Sequence, residues 1–252
     1  MSHQSHMTPK TAMVLAAGLG TRMRPLTDTR PKPLIEVAGK ALIDWTLDRF
    51  AAAGVERAVV NVHYRADQME AHLKSRLAPS IIISDERALL LETGGGLKKA
   101  RSALGPAPIF CTNTDAILVG GSREPCRLLS EEWRDEDMDA LLLLTPIANA
   151  SGYDGRGDFD IANARPEWRK GESAPFVFTG LQILRPKLLD GAPDGPFSTR
   201  LLWEKAMTAG RIFAAIHDGP WMHVGDPQGL ALAESFFDKM SDVEKRKAGS
   251  TL

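Results

Sequence analysis

Short apolar runs alternate with helix-period segments along the first two-thirds of this chain, and that alternation restricts its fold more than any other feature. Thr11–Ala17 (TAMVLAA) is short and continuously apolar, as a strand buried on both faces must be. Ala41–Ala53 instead places Leu42, Ile43, Leu47 and Phe50 on one helical face, and Gly54 follows where a C′ glycine belongs. Ala58–Val62 and Ile81–Ile83 predict strands flanking a helix over Asp67–Leu77. Gly95–Leu104 predicts a further helix, and Ile109–Thr112 and Ala140–Thr145 two more strands. Strands connected through helices fold as right-handed βαβ units around a mostly parallel sheet. The expected class is α/β.

The last third is more mixed. Asp158–Ile161, Phe176–Leu184 and Ile212–Ile216 predict strands, and Leu201–Ala209 a helix closed by Gly210. Asp226-Pro227 opens a terminal helix, with Asp226 as N-cap and Pro227 at the first helical position. No repeat, low-complexity tract or linker divides the chain. The expectation is one domain over residues 11–240 with a smaller substrate-side lobe, a disordered polar leader over 1–10 and a polar tail over 241–252. His3 and His6 fall in that leader and carry no expected metal role.

Composition then removes whole classes of function. Of 252 residues, 43% are hydrophobic and 25% charged, an ordinary globular balance, and the formal net charge is −1. That balance gives no field for nucleic acid and no polybasic membrane patch. Two cysteines, Cys111 and Cys126, form no disulfide framework, and the longest apolar stretches are far too short to span a bilayer. The N-terminus lacks the apolar core of a signal peptide. A cytoplasmic protein is expected, with no nucleic-acid or membrane partner. Any anionic ligand must be held by a local cluster of cations and backbone N–H groups.

Such a cluster lies directly after the first strand. Leu15-Ala16-Ala17-Gly18-Leu19-Gly20-Thr21-Arg22-Met23-Arg24-Pro25 continues to Pro31-Lys32-Pro33-Leu34. It is not a dinucleotide fingerprint, because Met23 stands where the third glycine is needed, and it lacks the Gly-Lys-Ser/Thr of a P-loop. A loop of small residues lets a triphosphate approach backbone N–H groups. Arg22, Arg24 and Lys32 add three cations, and the two prolines fix the backbone on either side of Lys32.

This string resembles the signature of the sugar-1-phosphate nucleotidyltransferases, which join a sugar phosphate to a nucleoside triphosphate and release pyrophosphate. Glu92-Thr93-Gly94-Gly95-Gly96 resembles the family's second glycine-rich nucleotide loop. Asn113-Thr114-Asp115 is similar to its N-G-D metal motif, with Thr114 in place of glycine. Trp221-Met222-His223-Val224-Gly225-Asp226 is similar to its W-x-D-V-G-T segment. The likeness runs from about Met13 to Phe237. With Leu91-Glu92-Thr93-Gly94-Gly95-Gly96 and Gly155-Arg156-Gly157-Asp158-Phe159, it points to the short single-domain branch that includes N-acetylmuramate-1-phosphate uridylyltransferases.

The resemblance implies a Rossmann-like three-layer fold with a mostly parallel central sheet and a small sugar-side β lobe. It implies nucleotide contacts at Leu15, Ala16, Ala17, Gly18, Gly20, Thr21, Arg22, Lys32, Glu92 and Gly95. Arg22 is expected at the β- and γ-phosphates, and Lys32 at the α-phosphate and its transition state. Sugar contacts are expected at Asn113, Gly157, Asp158, Thr179 and Gly180, although Thr179-Gly180 reads equally as a β-bulge. Asp115 is the expected Mg²⁺ ligand and, with Arg22 and Lys32, completes the catalytic set. Where the family has a second aspartate this chain has His223, a poor Mg²⁺ ligand. That leaves three readings open: a softer metal, a phosphate contact, or Mg²⁺ held by Asp115 and substrate phosphates alone. The partners are a nucleoside triphosphate, by branch likeness UTP, and a sugar 1-phosphate, in peptidoglycan recycling. A monomer or small homo-oligomer is expected. Mannose-1-phosphate guanylyl transfer and a nucleotide sensor that has lost catalysis are the competing readings.

Overall fold

The computed structural model describes residues 7–249, with side chains as far as residue 241; His3 and His6 lie outside the described residues. Strands β1 (Thr11–Leu15), β4 (Arg57–Val62), β5 (Ser80–Asp85) and β6 (Ile109–Asn113) are parallel, in the spatial order β5-β4-β1-β6. They carry the apolar runs read from the sequence, and Ala12, Met13, Val14, Val59 and Val60 are fully buried. Two short strands, β2 (Glu36–Val37) and β3 (Lys40–Ala41), form a hairpin before the first helix.

Four helices make the crossovers: α1 (Leu42–Ala52), α2 (Ala66–Leu73), and α3 (Glu92–Lys99) followed by α4 (Arg101–Leu104). From β1 the chain moves outward to β4 and β5, then returns to lay β6 on the opposite side of β1. That reversal makes a switch point between β1 and β6, where Leu15 pairs with Asn113. In open α/β sheets the crevice beyond such carboxyl ends is where ligands bind.

Beyond β6 the sheet is mixed rather than mostly parallel. Strand β12 (Phe176–Leu184) runs antiparallel to β6 and to β8 (Ala140–Pro146), while β13 (Ile212–Ile216) is parallel to β8. The register of β12 shifts between Phe178 and Gln182, around Gly180 with φ +93°. Below that irregularity β12 pairs with β6; above it, Phe176 pairs with Phe159 of β10 (Phe159–Ala162), which forms a hairpin with β11 (Arg165–Trp168). One bulge therefore splits the sheet edge and separates the β10–β11 lobe from the parallel half of the sheet. Nothing in the apolar pattern of Phe176–Leu184 announces the strand's direction.

A second, three-stranded sheet pairs β7 (Ala116–Leu118) with β14 (Trp221–His223) and β14 with β9 (Ala150–Ser151). These strands, and α5 (Pro125–Glu132), are not expected from the sequence. Two- and three-residue strands are too short to show a period. Helix α5 does carry a start signal: Glu124 accepts a hydrogen bond from Arg127 N at 2.9 Å, with Pro125 at the first helical position. Helix α6 (Arg200–Thr208) and the terminal helix α7 (Pro227–Gly249) complete the chain. Asp226 caps α7 as expected, accepting from Gly229 N at 2.8 Å. The helix runs to Gly249, into the segment expected as a polar tail. No helix among the described residues is long and apolar enough to cross a membrane.

Candidate active site

The switch point opens into a cleft of about 280 Å³. Leu15, Ala16, Ala17 and Gly18 form its floor, Lys32 and Pro33 meet Asn113, Thr114 and Asp115 on one side, and Leu90, Glu92 and Thr93 form the far wall. Three of the four segments singled out in the sequence thus line one cleft, and the fourth, Trp221–Asp226, reaches it only through contacts of His223 and Val224 with Asp115.

Gly20 shows why the signature holds together. Its φ of +65° suits glycine, and a Cβ there would lie 3.0 Å from both Lys32 Cβ and Thr27 Cγ2. Thr27 Oγ1 donates to Gly20 O at 2.8 Å, closing the loop so that Lys32 folds back over the strand end. Lys32 Nζ then meets Asp115 Oδ2 at 2.9 Å, with both side chains mostly shielded (13% and 27% exposed). One ammonium N–H is used in that contact and two remain for phosphate oxygens. Burial works against the Asp115 carboxylate, but the His223 imidazole and the Lys32 ammonium beside it hold its pKa well below the usual carboxylate range.

His223 is held closely. Its Nδ1 lies 3.2 Å from Gly152 O, which requires the hydrogen on Nδ1, and Nε2 faces Asp115 Oδ2 at 3.7 Å. The ring lies nearly parallel to Trp221 at 12°, with centroids 5.6 Å apart. A Cβ on Gly225 would fall 2.4 Å from His223 Cε1, so that glycine makes room for the imidazole. The backbone bond from Val224 N to Asp115 O at 2.8 Å ties this segment to Asp115.

Among the described residues no group of three or more His, Cys, Asp or Glu side chains gathers to hold a metal. Asp115 nevertheless suits Mg²⁺, a hard cation bound through one or two carboxylates and substrate phosphates: among the described side chains only Oδ2 is engaged in a hydrogen bond or ion pair, and Oδ1 in none. The three readings of His223 remain distinct.

Several expected contacts are placed differently. Glu92–Gly96 is the first turn of α3, not a loop. The Gly94 and Gly95 amides donate to Phe197 O at 2.8 and 3.1 Å, filling helix-terminal donors that would otherwise lack partners. A Cβ on Gly94 would lie 2.4 Å from the Phe197 ring, and one on Gly95 2.4 Å from Gly195 O. These glycines admit the 195–197 segment, and Gly95 lies behind the cleft wall. Glu92 and Thr93 face the cleft instead.

The three cations also differ. Arg24 pairs with Asp28 at 3.4 Å and Lys32 with Asp115, whereas Arg22, exposed on the turn Thr21–Met23, pairs with no described residue. Gly20, Thr21 and Arg22 border the signature turn without lining the cleft.

On the sugar side, Thr179 is 2% exposed, and its hydroxyl donates to Leu143 O at 2.8 Å, so this residue serves the bulge. Its carbonyl accepts from Trp221 Nε1 at 3.0 Å, locking β14 to the bulge. Gly180 sits against Asn113, which lines the cleft. Asp158 Oδ2 accepts from Phe178 N at 3.0 Å, and Gly157 N donates to the Tyr153 hydroxyl at 3.1 Å. Of these residues only Asn113 lines the cleft; Gly180 adjoins it, Gly157 is buried, and Asp158 is tied to Phe178 at the rim of the β10–β11 lobe.

Asn61, Leu90 and Pro33 line the cleft and are not anticipated as site residues. Asn61 had a readable signal, a lone amide inside the apolar run Ala58–Val62.

Comparison with known proteins agrees with this geometry. Residues 11–154 match the family model described as Nucleotidyl transferase. N-acetylmuramate alpha-1-phosphate uridylyltransferase of Caulobacter vibrioides is 50% identical over 90% of this chain and 96% of its own. The protein of that name from Neisseria meningitidis serogroup B is 35% identical over 85% of this chain and 92% of its own. The structure of the inositol-1-phosphate CTP transferase from T. maritima superposes with a TM-score of 0.73 at 18% identity, covering 90% of this chain and 96% of that one, a likeness of fold.

Proposed function

This chain belongs to the nucleotidyl transferase family, and from that premise we propose that it transfers the uridylyl group of UTP to N-acetylmuramate 1-phosphate, releasing pyrophosphate. The observation that carries the reading is the convergence of Lys32, Asp115 and the Leu15–Gly18 floor on one switch-point cleft. The choice of substrates is supported by the half-identical Caulobacter vibrioides relative.

A sugar 1-phosphate loses its second proton at a pKa of about 6, so near neutral pH its oxygen is already a nucleophile. That oxygen attacks the α-phosphorus, the bond to the β-phosphate oxygen breaks, and pyrophosphate leaves with the electron pair. No side chain has to remove a proton. The site's task is positioning and charge stabilisation.

Lys32, oriented by Asp115, places its two remaining N–H groups toward the α-phosphate oxygens. The small residues Ala16, Ala17 and Gly18 let the triphosphate approach the strand end, and Arg22 stands outside the cleft for the leaving pyrophosphate. Asn113 and the Gly157–Asp158 rim receive the sugar. Asp115, together with substrate phosphates, would hold Mg²⁺, which when bound would add to the neutralisation of the triphosphate charge.

Pyrophosphate release measured across nucleoside triphosphates and sugar 1-phosphates tests the reading. Release with UTP and N-acetylmuramate 1-phosphate is expected. Release only with GTP and mannose 1-phosphate would overturn the uridylyl assignment, and release from no pair would overturn transfer altogether.

A further inference from the structure

Behind the cleft a buried hydrogen-bond chain connects its floor to its far wall. Ala16 N donates to Asn61 Oδ1 at 2.6 Å, and Asn61 Nδ2 donates to Glu86 Oε1 at 2.9 Å. Glu86 Oε2 accepts from Leu91 N at 3.2 Å, immediately before α3. Asn61 is 3% exposed and Glu86 0%. A Cβ on Gly96 would lie 2.8 Å from Glu86 Oε1 and 2.9 Å from Asn61 Nδ2, so the third glycine of α3 leaves room for this pair. Neither side chain belongs to the signature, and Glu86 does not line the cleft.

We propose that Asn61 and Glu86 are a positioning pair that fixes the distance between the two nucleotide-side segments, Leu15–Gly18 and Leu90–Thr93, and thereby sets affinity for the nucleoside triphosphate. This rests on the nucleotide occupying that half of the cleft. The chain is directional. Both ends are backbone N–H donors, so each side chain must present an acceptor outward, and the contact between them needs one donor and one acceptor. Three acceptors and one donor mean one carboxylate and one amide. Two amides leave two donors facing, and two carboxylates leave two acceptors facing, in a site where a partnerless polar group is costly. The reversed pair, aspartate at 61 and glutamine at 86, satisfies the same three contacts.

That reversal is the test. Asn61→Asp, Glu86→Gln and the double variant N61D/E86Q are compared with the wild type by the KM of each substrate, by kcat, by the calorimetric Kd of Mg²⁺–UTP, and by thermal unfolding. Each single substitution is expected to raise the nucleotide KM and Kd by about tenfold or more, the cost of one unmatched buried polar contact. The KM of the sugar 1-phosphate should stay within about twofold, a spread too small to count as an energetic contribution. The double variant should recover nucleotide affinity to within about threefold of wild type, since coupled residues are non-additive.

Equal increases in both KM values, or a double variant as impaired as its components combined, would overturn the proposal. If a single variant does not fold, recovery in the double variant alone decides it. Wild-type protein that binds UTP but turns over no sugar phosphate would refute the transfer reading, while the Kd series would still judge the pair.

Discussion

Lys32 and Asp115 lie 83 residues apart in the chain and meet at 2.9 Å at the mouth of the switch-point cleft. One comes from the loop after β1 and the other from the end of β6, the two strands between which the crossover direction reverses. The carboxylate holds the ammonium in place before any phosphate arrives.

Replacing Lys32 by alanine removes a charge aimed at the transition state. The expected effect is a fall in kcat of about 10²–10³-fold with a smaller change in KM. Steady-state kinetics with both substrates varied measures it, and unchanged turnover would displace Lys32 from the chemistry.

Asp115 makes stability depend on acid in a defined direction. Its folded-state pKa is depressed below the unfolded value of about 3.9, so its contribution is complete above that value and is lost as pH falls through the folded value. Denaturant unfolding of wild type and Asp115→Asn should therefore differ by a constant amount above about pH 5 and converge below about pH 4. A difference that grows on acidification would contradict the depressed value.

His223→Asp should give turnover equal to or above wild type, with half-saturation at lower Mg²⁺, because a carboxylate suits the hard cation better than imidazole. Titrating Mg²⁺ at saturating substrates reads this out. Complete loss would instead show that the imidazole between Gly152 and Gly225 makes a contact carboxylate cannot.

Gly157→Ala should destabilise the sugar-side lobe by about 2–4 kcal/mol. Residue 157 has φ +78°, and a Cβ there would lie 2.1 Å from Ala174 O. Denaturant midpoints measure the loss, and a near-neutral substitution would mean the rim relaxes freely.

Both cysteines should be inert in the folded protein. Each is fully buried, and burial pushes the Cys111 thiol up to about 12 and raises that of Cys126 as well. A thiol reagent at about pH 8 should label neither until denaturant is added, since the thiolate is the reactive form.

The parallel half of the sheet and the signature loop were legible because their information is local. Val14 sits in an apolar run and Val60 in one broken only by Asn61, and the order Leu15–Leu34 states which small and cationic residues follow the first strand. The glycines of α3 misled for a related reason. Gly94 and Gly95 look like part of a nucleotide loop, yet they are short so that Phe197 and Gly195, a hundred residues away in the chain, can pack against them. Residue type records that space is needed but not what fills it.

The linear order of residues therefore determined the fold class, the cleft floor and the identities of Lys32 and Asp115. Periodicity and backbone constraint act over a few residues and survive in any context. Only the tertiary structure decided that β12 runs antiparallel, that Thr179 serves a bulge, that His223 is seated against Trp221, and that Asn61 reaches Glu86. Those outcomes depend on burial and on hydrogen-bond partners drawn from distant segments, which exist only once the chain has closed on itself.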